Sequence, residues 1–517
     1  MTAGSNIRED LSTAIADAVF EQVKRAVPEG LECKPTLDSR LDEIGLDSLA
    51  RMSVVNYLEE RFQLRFSEDA LYDMETCRDL IEYLEGHVGP DGVGQRAEAP
   101  AENRLREPEA PRSREILPQD CDVTLFPECV AFQHRISDTM AAGFANPFFR
   151  VKQRVDKTTC TIDGREVVSY TVFDYLGMAR QEAVIAAAKE ALDRFGASAA
   201  ASRLVGGNNT LLEQLDEEIA QFVGTEAATV FPSGHGTNTS VLGHLFGTED
   251  LILYDELAHN SIAQGALLSH AKIRAFPHND CDFLERLLAD VRHNYRRVVI
   301  ALDGVYSMDG DYPDLPRFIE IKRRHGAVLY VDEAHSLGTM GAHGRGICEH
   351  FGVDPGDGDI WMGTISKALG SLGGFIAGRE VLVQYLKYNT PSFVFATALS
   401  PANTAAALAA LKLLRDEPQC VERLRNRSRL FLELAQQAGL NTGDSRDTPI
   451  IPVILGNSLK CLKVSTALLA QGIDAQSILY PAVPDSKSRI RFFINAEHTE
   501  EQIRRTVRVL LECVNSF

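Results

Sequence analysis

"HGAVLYVDEAHSLG", His325 to Gly338, sets a short β-branched apolar run directly against an acid and a histidine. A run of this kind with no polar alternation reads as a strand buried on both faces, and such strands belong to parallel sheets. In open α/β sheets ligands sit beyond the carboxyl ends of the strands. Asp332, with His335 three residues on, is therefore a candidate site pair. Asp is also a preferred helix N-cap, because its carboxylate accepts backbone N–H bonds. On this stretch alone both readings stand.

Working outward, the same texture recurs. "AATVFP" (227–232), "LILYD" (251–255), "RVVIALD" (297–303) and "DIWMG" (359–363) read as further strands, with helical stretches such as "LLEQLDEEIAQFV" and "DLPRFIEIKRRH" between them. Alternation of this kind predicts an α/β fold with a largely parallel sheet covered on both faces. Beyond Pro401 the long helix "ANTAAALAALKLLRDE" and later short strands predict a smaller α+β lobe, residues 401–517.

The N-terminal zone differs. Residues 1–85 read as an all-α bundle built from "REDLSTAIADAVFEQVKRAV", "LDSLARMSVVNYLEERF" and "TCRDLIEYLEGH", each with apolar residues at helical spacing. They hold 19 Asp and Glu against 9 Lys and Arg, a net charge of −10. Residues 86–117 are rich in Pro, Gly, Ala and charge, the composition of a flexible linker. At about 5–6 Å times the square root of its length, such a chain spans roughly 30 Å as a random coil.

The totals exclude several classes. At 517 residues the chain exceeds one hydrophobic core, and 44% hydrophobic with 24% charged residues is a globular composition. A net charge of −20 argues against nucleic acid or an anionic membrane as partner. No run approaches a membrane span, and "MTAGSNIRED" lacks the order of a signal peptide. The 10 cysteines include no CxxC pair, so reduced thiols in a cytoplasmic enzyme are expected, with no metal site.

Further candidates gather at the strand ends. In "MGTISKALGSLGGF" Lys367 follows a strand, beside Thr364 and Ser366 and ahead of a glycine-rich turn. A lysine among apolar neighbours near an acid suits Schiff-base chemistry with a carbonyl cofactor, and the acid can hold a proton on a pyridine nitrogen. Pyridoxal 5'-phosphate (PLP) would give Asp332 its partner. "FPSGHGTN" places Ser233, Gly234 and His235 where a helix N-terminus can take a phosphate. His259 in "YDELAHNSIAQG" can stack on a pyridine face, and Ser307 in "LDGVYSMDGDYPDL" reaches the same edge. Singly each is more often structural; five strand ends in this order point to one site.

With "DYLGM", "SRLVGG", "FPHND", "GRGICEH", "TPIIPV" and "RIRFFINAEHT" added, residues 130–515 resemble the α-oxoamine synthases, a group of fold-type I PLP transferases. The resemblance implies a PLP-binding domain over 118–400, with Lys367 binding PLP and acting as base. It places Asp332 on the ring nitrogen, and His335 and Ser307 at the ring oxygen. It stacks His259 on the ring, and sets Ser233, Gly234, His235 and Thr364 around the phosphate. Thr397 in "FATALSP" would serve the neighbouring subunit's phosphate, so a homodimer with shared sites is implied. Arg491 would bind the amino-acid carboxylate. Leu212, Asp303 and Asn260 depart from the family's usual His, Glu and small residue, and are expected on the substrate side.

In "LDEIGLDSLARM" Ser48 opens an amphipathic helix, an N-cap by position. Residues 7–85 as a whole resemble an acyl carrier protein, which implies 4'-phosphopantetheine on Ser48. It implies as partners a phosphopantetheinyl transferase and an acyl-loading enzyme. The expected reaction condenses an α-amino acid with an acyl thioester, losing carbon dioxide. Acyl-CoA as donor with the carrier a passenger, and a carbon–carbon lyase like 2-amino-3-ketobutyrate CoA ligase, remain alternatives.

Overall fold

The computed structural model describes residues 3–26, 35–41, 46, 54–55, 57–59, 61–62, 64, 66, 74, 76–88, 116–141, 146 and 148–517 apart from 481. The chain divides into two compact units, Met1–Ser137 and Asp138–Phe517.

In the first unit the helices Ala3–Ala26 and Cys77–His87 fall where the apolar spacing predicts them. Thr76 caps the second in a reciprocal capping box with Asp79. Ile15, Val19 and Val23 from one helix and Leu80, Ile81 and Leu84 from the other share a core with Val54, Leu58 and Phe62. Ser48 lies outside the described residues, as do the linker residues 89–115; Leu46, two residues before Ser48, is buried.

The second unit is organised by a seven-stranded sheet: Ala227–Phe231 (β1), Leu251–Asp255 (β2), Lys272–Phe276 (β3), Val298–Asp303 (β4), Val328–Asp332 (β5), Ile360–Thr364 (β6) and Gly374–Gly378 (β7). Their order is β1-β7-β6-β5-β4-β2-β3, parallel except for β7, which is antiparallel to both neighbours. Every residue of β2, β4, β6 and β7 is buried, which is why these runs carry no polar alternation. Gly374 and Phe375, at the end of the glycine-rich stretch read from sequence as a turn, begin β7. A Cβ on Gly374 would lie 2.7 Å from the Cα of Gly234, so glycine there allows a helix terminus to approach the sheet.

Ile450–Ile454, Arg489–Phe493 and Gln476–Ile478 form a separate antiparallel sheet covered by the helices Gln419–Gln437, Ser458–Ala470 and Glu500–Asn515. The helix Pro401–Asp416 packs instead on Glu182–Phe195 and Thr210–Val223 of the larger lobe, because its Ala-rich face, Ala407, Ala410 and Leu411, is buried there. Strands at 154–169 join the C-terminal part through Ile473–Asp474. Among the described residues no helix is long and apolar enough to cross a membrane, and all nine cysteines are free.

Candidate active site

Parallel register brings the carboxyl ends of β1, β2, β4, β5 and β6 to one edge. Asp303 and Asp332 are register partners in β4 and β5. Antiparallel β7 begins at the same edge, where Gly374 pairs with both Phe231 and Thr364.

Asp332 is buried and held by both oxygens. Oδ2 accepts from Asn238 Nδ2 at 2.6 Å, and Oδ1 accepts from the Ala334 N–H at 2.9 Å. The turn-capping reading and the site reading of this acid therefore both hold. Asn238 Nδ2 also donates to Ser261 Oγ at 2.9 Å, its Oδ1 accepts from Tyr330 Oη at 2.7 Å, and Ser261 Oγ lies 2.6 Å from His259 Nδ1. Asn238 is one of the site residues that sequence reasoning missed. It closes the quoted "FPSGHGTN", and a polar side chain one turn into a core-facing helix was the available signal.

Lys367 is half-buried, and its Nζ makes no hydrogen bond or ion pair among the described residues; it stands 5.9 Å from the centroid of the Phe173 ring. Burial pushes the amine down to about 8, with the Asp332 charge opposing that effect. Burial, reinforced by Lys367 and Arg491, holds His335 well below the usual imidazole range, so the ring is neutral. It shares a 2.7 Å hydrogen bond with Tyr175 Oη. Burial and the Asp332 charge keep Asp303 protonated far above the usual carboxylate range. Its Oδ1 accepts from the His259 N–H at 3.2 Å.

The helix Gly234–Leu245 is capped by Ser233, whose Oγ accepts from the Gly236 N–H at 2.9 Å and keeps its own proton to donate. The amides of Gly234 and His235 have no acceptor among the described residues. A Cβ on Gly234 would come within 2.9 Å of Thr364 Oγ1, so glycine lets this terminus close on Thr364. Amides at a positive helix end beside the Ser233 hydroxyl make an anion cradle, and the neighbouring Thr364 hydroxyl donates to the Gly373 carbonyl at 2.8 Å.

Arg491 Nη1 donates to the Ser307 carbonyl at 2.8 Å and lies 3.0 Å from Met308 Sδ. Its guanidinium stands 4.5 Å over Phe493, while its buried Nε has no partner. Burial lowers it to about 10, and no carboxylate pairs with it among the described residues. Thr397 is not brought to the cluster: it is exposed, near the 86% exposed Phe395. Leu212 also departs from expectation. It is fully buried in the core of the larger lobe, since its helix turns an apolar face inward, and so it does not line a substrate side.

Residues 165–510 match the family described as aminotransferase class I and II. The chain belongs to this family, in its α-oxoamine synthase group. Residues 7–84 match the phosphopantetheine attachment site family. The 8-amino-7-oxononanoate synthase of Symbiobacterium thermophilum is 41% identical over 362 residues, 70% of this chain and 92% of that protein. Its counterpart 1 from Bacillus subtilis is 39% identical, over 68% of this chain and 88% of its own length. Among solved structures, a Sphingomonas wittichii serine palmitoyltransferase is 30% identical with a TM-score of 0.73, covering 76% of this chain and 98% of that one. Another serine palmitoyltransferase structure, 29% identical with a TM-score of 0.72, holds PLP; it covers 76% of this chain and 99% of that one. This α-oxoamine synthase thus spans its relatives' length with its body and adds a carrier-type unit in front.

Proposed function

We propose that this α-oxoamine synthase uses PLP to condense an α-amino acid with an acyl thioester carried on its own Ser48. The reaction forms the new carbon–carbon bond at Cα and releases the carrier thiol and carbon dioxide, leaving an α-aminoketone. The observation that carries this reading is Lys367, unpaired and lowered to about 8 at the same edge as Asp332 and the Gly234 amides. The residues fit PLP: an amine for its aldehyde, an acid for its ring nitrogen and an anion cradle for its phosphate. When bound, PLP supplies an electron sink for the carbanion left by loss of the α-proton.

The chain's own residues do the rest. Lys367 would hold the cofactor through Nζ, and its free amine would take the α-proton. Asp332, fixed by Asn238 and Ala334, holds a proton on the ring nitrogen through a charge-assisted bond. Neutral His335, oriented by Tyr175, meets the ring oxygen together with Ser307. His259 would stack on the ring, and Ser233, Gly234, His235 and Thr364 would hold the phosphate. Arg491 offers its free Nε and fork to the amino-acid carboxylate. Thr397, exposed on the single chain, reaches the partner's phosphate, which makes the working form a homodimer with shared sites.

In this reading the carrier runs on from residue 85 through the buried Val88, residues 89–117 are the tether, and the helix Pro401–Asp416 joins the PLP-binding domain that precedes it, leaving 417–517 as the small domain. A phosphopantetheinyl transferase and an acyl-loading enzyme are required partners. Fusion raises the donor's effective concentration toward the millimolar range. Free thiols suit a cytoplasmic setting.

Borohydride should attach PLP to the Lys367 peptide alone. Ser48→Ala should leave amino-acid α-proton exchange intact and abolish product from carrier-loaded acyl groups. Label on another lysine, or a full product rate from acyl-CoA in Ser48→Ala, refutes the corresponding half of the proposal.

A further inference from the structure

Beside this site, His278 lies two residues beyond β3 between two buried carboxylates. Its Nδ1 is 2.8 Å from Asp255 Oδ1 and its Nε2 is 2.8 Å from Asp311 Oδ2. The two acids are 0% and 4% exposed. A neutral imidazole has one N–H, so its other nitrogen would turn a lone pair on a carboxylate. Only the imidazolium satisfies both contacts. Burial opposes the charge, but the bonds to Asp255 and Asp311 outweigh it and push His278 up to about 10. In the same group Asn279 Oδ1 and Asp311 Oδ1 find no hydrogen-bond partner.

What the imidazolium joins is specific. Asp255 ends β2 and accepts from the Leu257 N–H at 2.9 Å and the Asn279 N–H at 2.8 Å, so it shapes the turn that leads to His259. Asp311 closes the opposite loop: its carbonyl accepts from the Tyr306 N–H at 2.9 Å, and the Gly310 N–H donates to the Tyr306 carbonyl at 2.9 Å. On that closed turn sit the Ser307 carbonyl, which takes Arg491, and the Met308 carbonyl, which takes Arg489 Nη1 at 2.9 Å. Among the described residues Arg491 has no carboxylate partner, and its hydrogen bond to the Ser307 carbonyl ties its fork to the 306–311 loop.

We propose that His278 is a protonated positioning residue for the amino-acid subsite: it ties the 306–311 loop to the end of β2 and thereby holds Arg491 in line with the site. This deepens the proposed function and rests on its assignment of Arg491 to the substrate carboxylate.

The test uses PLP-loaded protein, with glycine, L-alanine and L-serine as probes and visible absorbance as the readout of their binding. His278→Gln should weaken the binding of whichever probe the wild type takes by tenfold or more, while borohydride-fixed PLP stays at the wild-type level. A role in folding alone would lower PLP content and melting temperature without this selective loss. Adding Asp311→Asn to His278→Gln should recover much of the affinity, because the new amide oxygen no longer faces a second carboxylate. Binding within twofold of wild type in His278→Gln, or a double variant no better than the single, overturns the inference. If His278→Gln yields no folded protein, Asp311→Asn alone should cost at least threefold in affinity, and an unchanged value overturns it. Arg491→Lys in the same assay separates the two readings. If that variant binds normally, the carboxylate assignment fails; if it alone loses binding, only the role of His278 fails.

Discussion

Among the described residues of the first unit, every buried side chain is apolar, from Ile15 to Val88. The carboxyl edge of the sheet instead buries Asp255, Asp303, Asp332, Glu333, His335 and Thr364, each at or within three residues of a strand's carboxyl end. Burying such groups costs several kcal/mol each unless they are paired or change protonation state. The edge does both. Asp332 takes two N–H donors, Asp303 stays protonated, burial pushes Glu333 up to about 7, and His335 stays neutral. The body thus keeps desolvated polar groups at its sheet edge, whereas the described residues of the carrier keep an apolar interior. Polar changes at the edge should alter reactivity without loss of fold, and apolar changes in the carrier should do the reverse.

The largest effect should come from Lys367→Ala. Product formation should fall by roughly 10³-fold or more as base and attachment point go together, with no borohydride-fixed PLP by mass spectrometry. Unaltered labelling would break the picture of the edge. Asp332→Asn should come next, keeping PLP but slowing α-proton exchange in deuterated water by roughly a hundredfold, since the ring nitrogen loses its charge-assisted partner. In the carrier, Leu84→Ala should destabilise its unit by about 2–5 kcal/mol, read as earlier chemical denaturation of that unit. Exchange at the sheet edge should not change, and a matching loss there would erase the contrast. The smallest effect is a titration. In PLP-free protein, labelling of Lys367 by an amine reagent should be half-maximal near pH 8, where an ordinary lysine needs about 10.5. Because the unfolded chain binds more protons between those values, this group's contribution to stability should rise as pH climbs from about 8 toward 10.5. A midpoint near 10.5 would show that the site does not desolvate its amine.

Much of this was legible in the chain. β2, β4, β5 and β6 stand within a residue of where the apolar runs predict them, because a strand buried on both faces has no other way to be written. The edge residues were legible for a related reason: a polar side chain directly after such a run has only the sheet's end to occupy. Gly374–Gly378 was not, since glycine reads as a turn until the close approach of Gly234 is known. Asn238, Tyr175 and Phe173 were missed for want of a local rule; each becomes a site residue only through partners 94, 160 and 194 positions away, Asp332, His335 and Lys367.

By itself, then, the sequence determined the two-unit layout, the parallel sheet and the residue types at its edge. These follow from hydrophobic periodicity and charge, which are properties of contiguous residues. Only the tertiary structure decided which of those residues are uncharged, which side chains orient them, and that His278 must be a cation. A protonation state depends on burial and on the groups a few ångströms away, and those come from strands far apart in the chain.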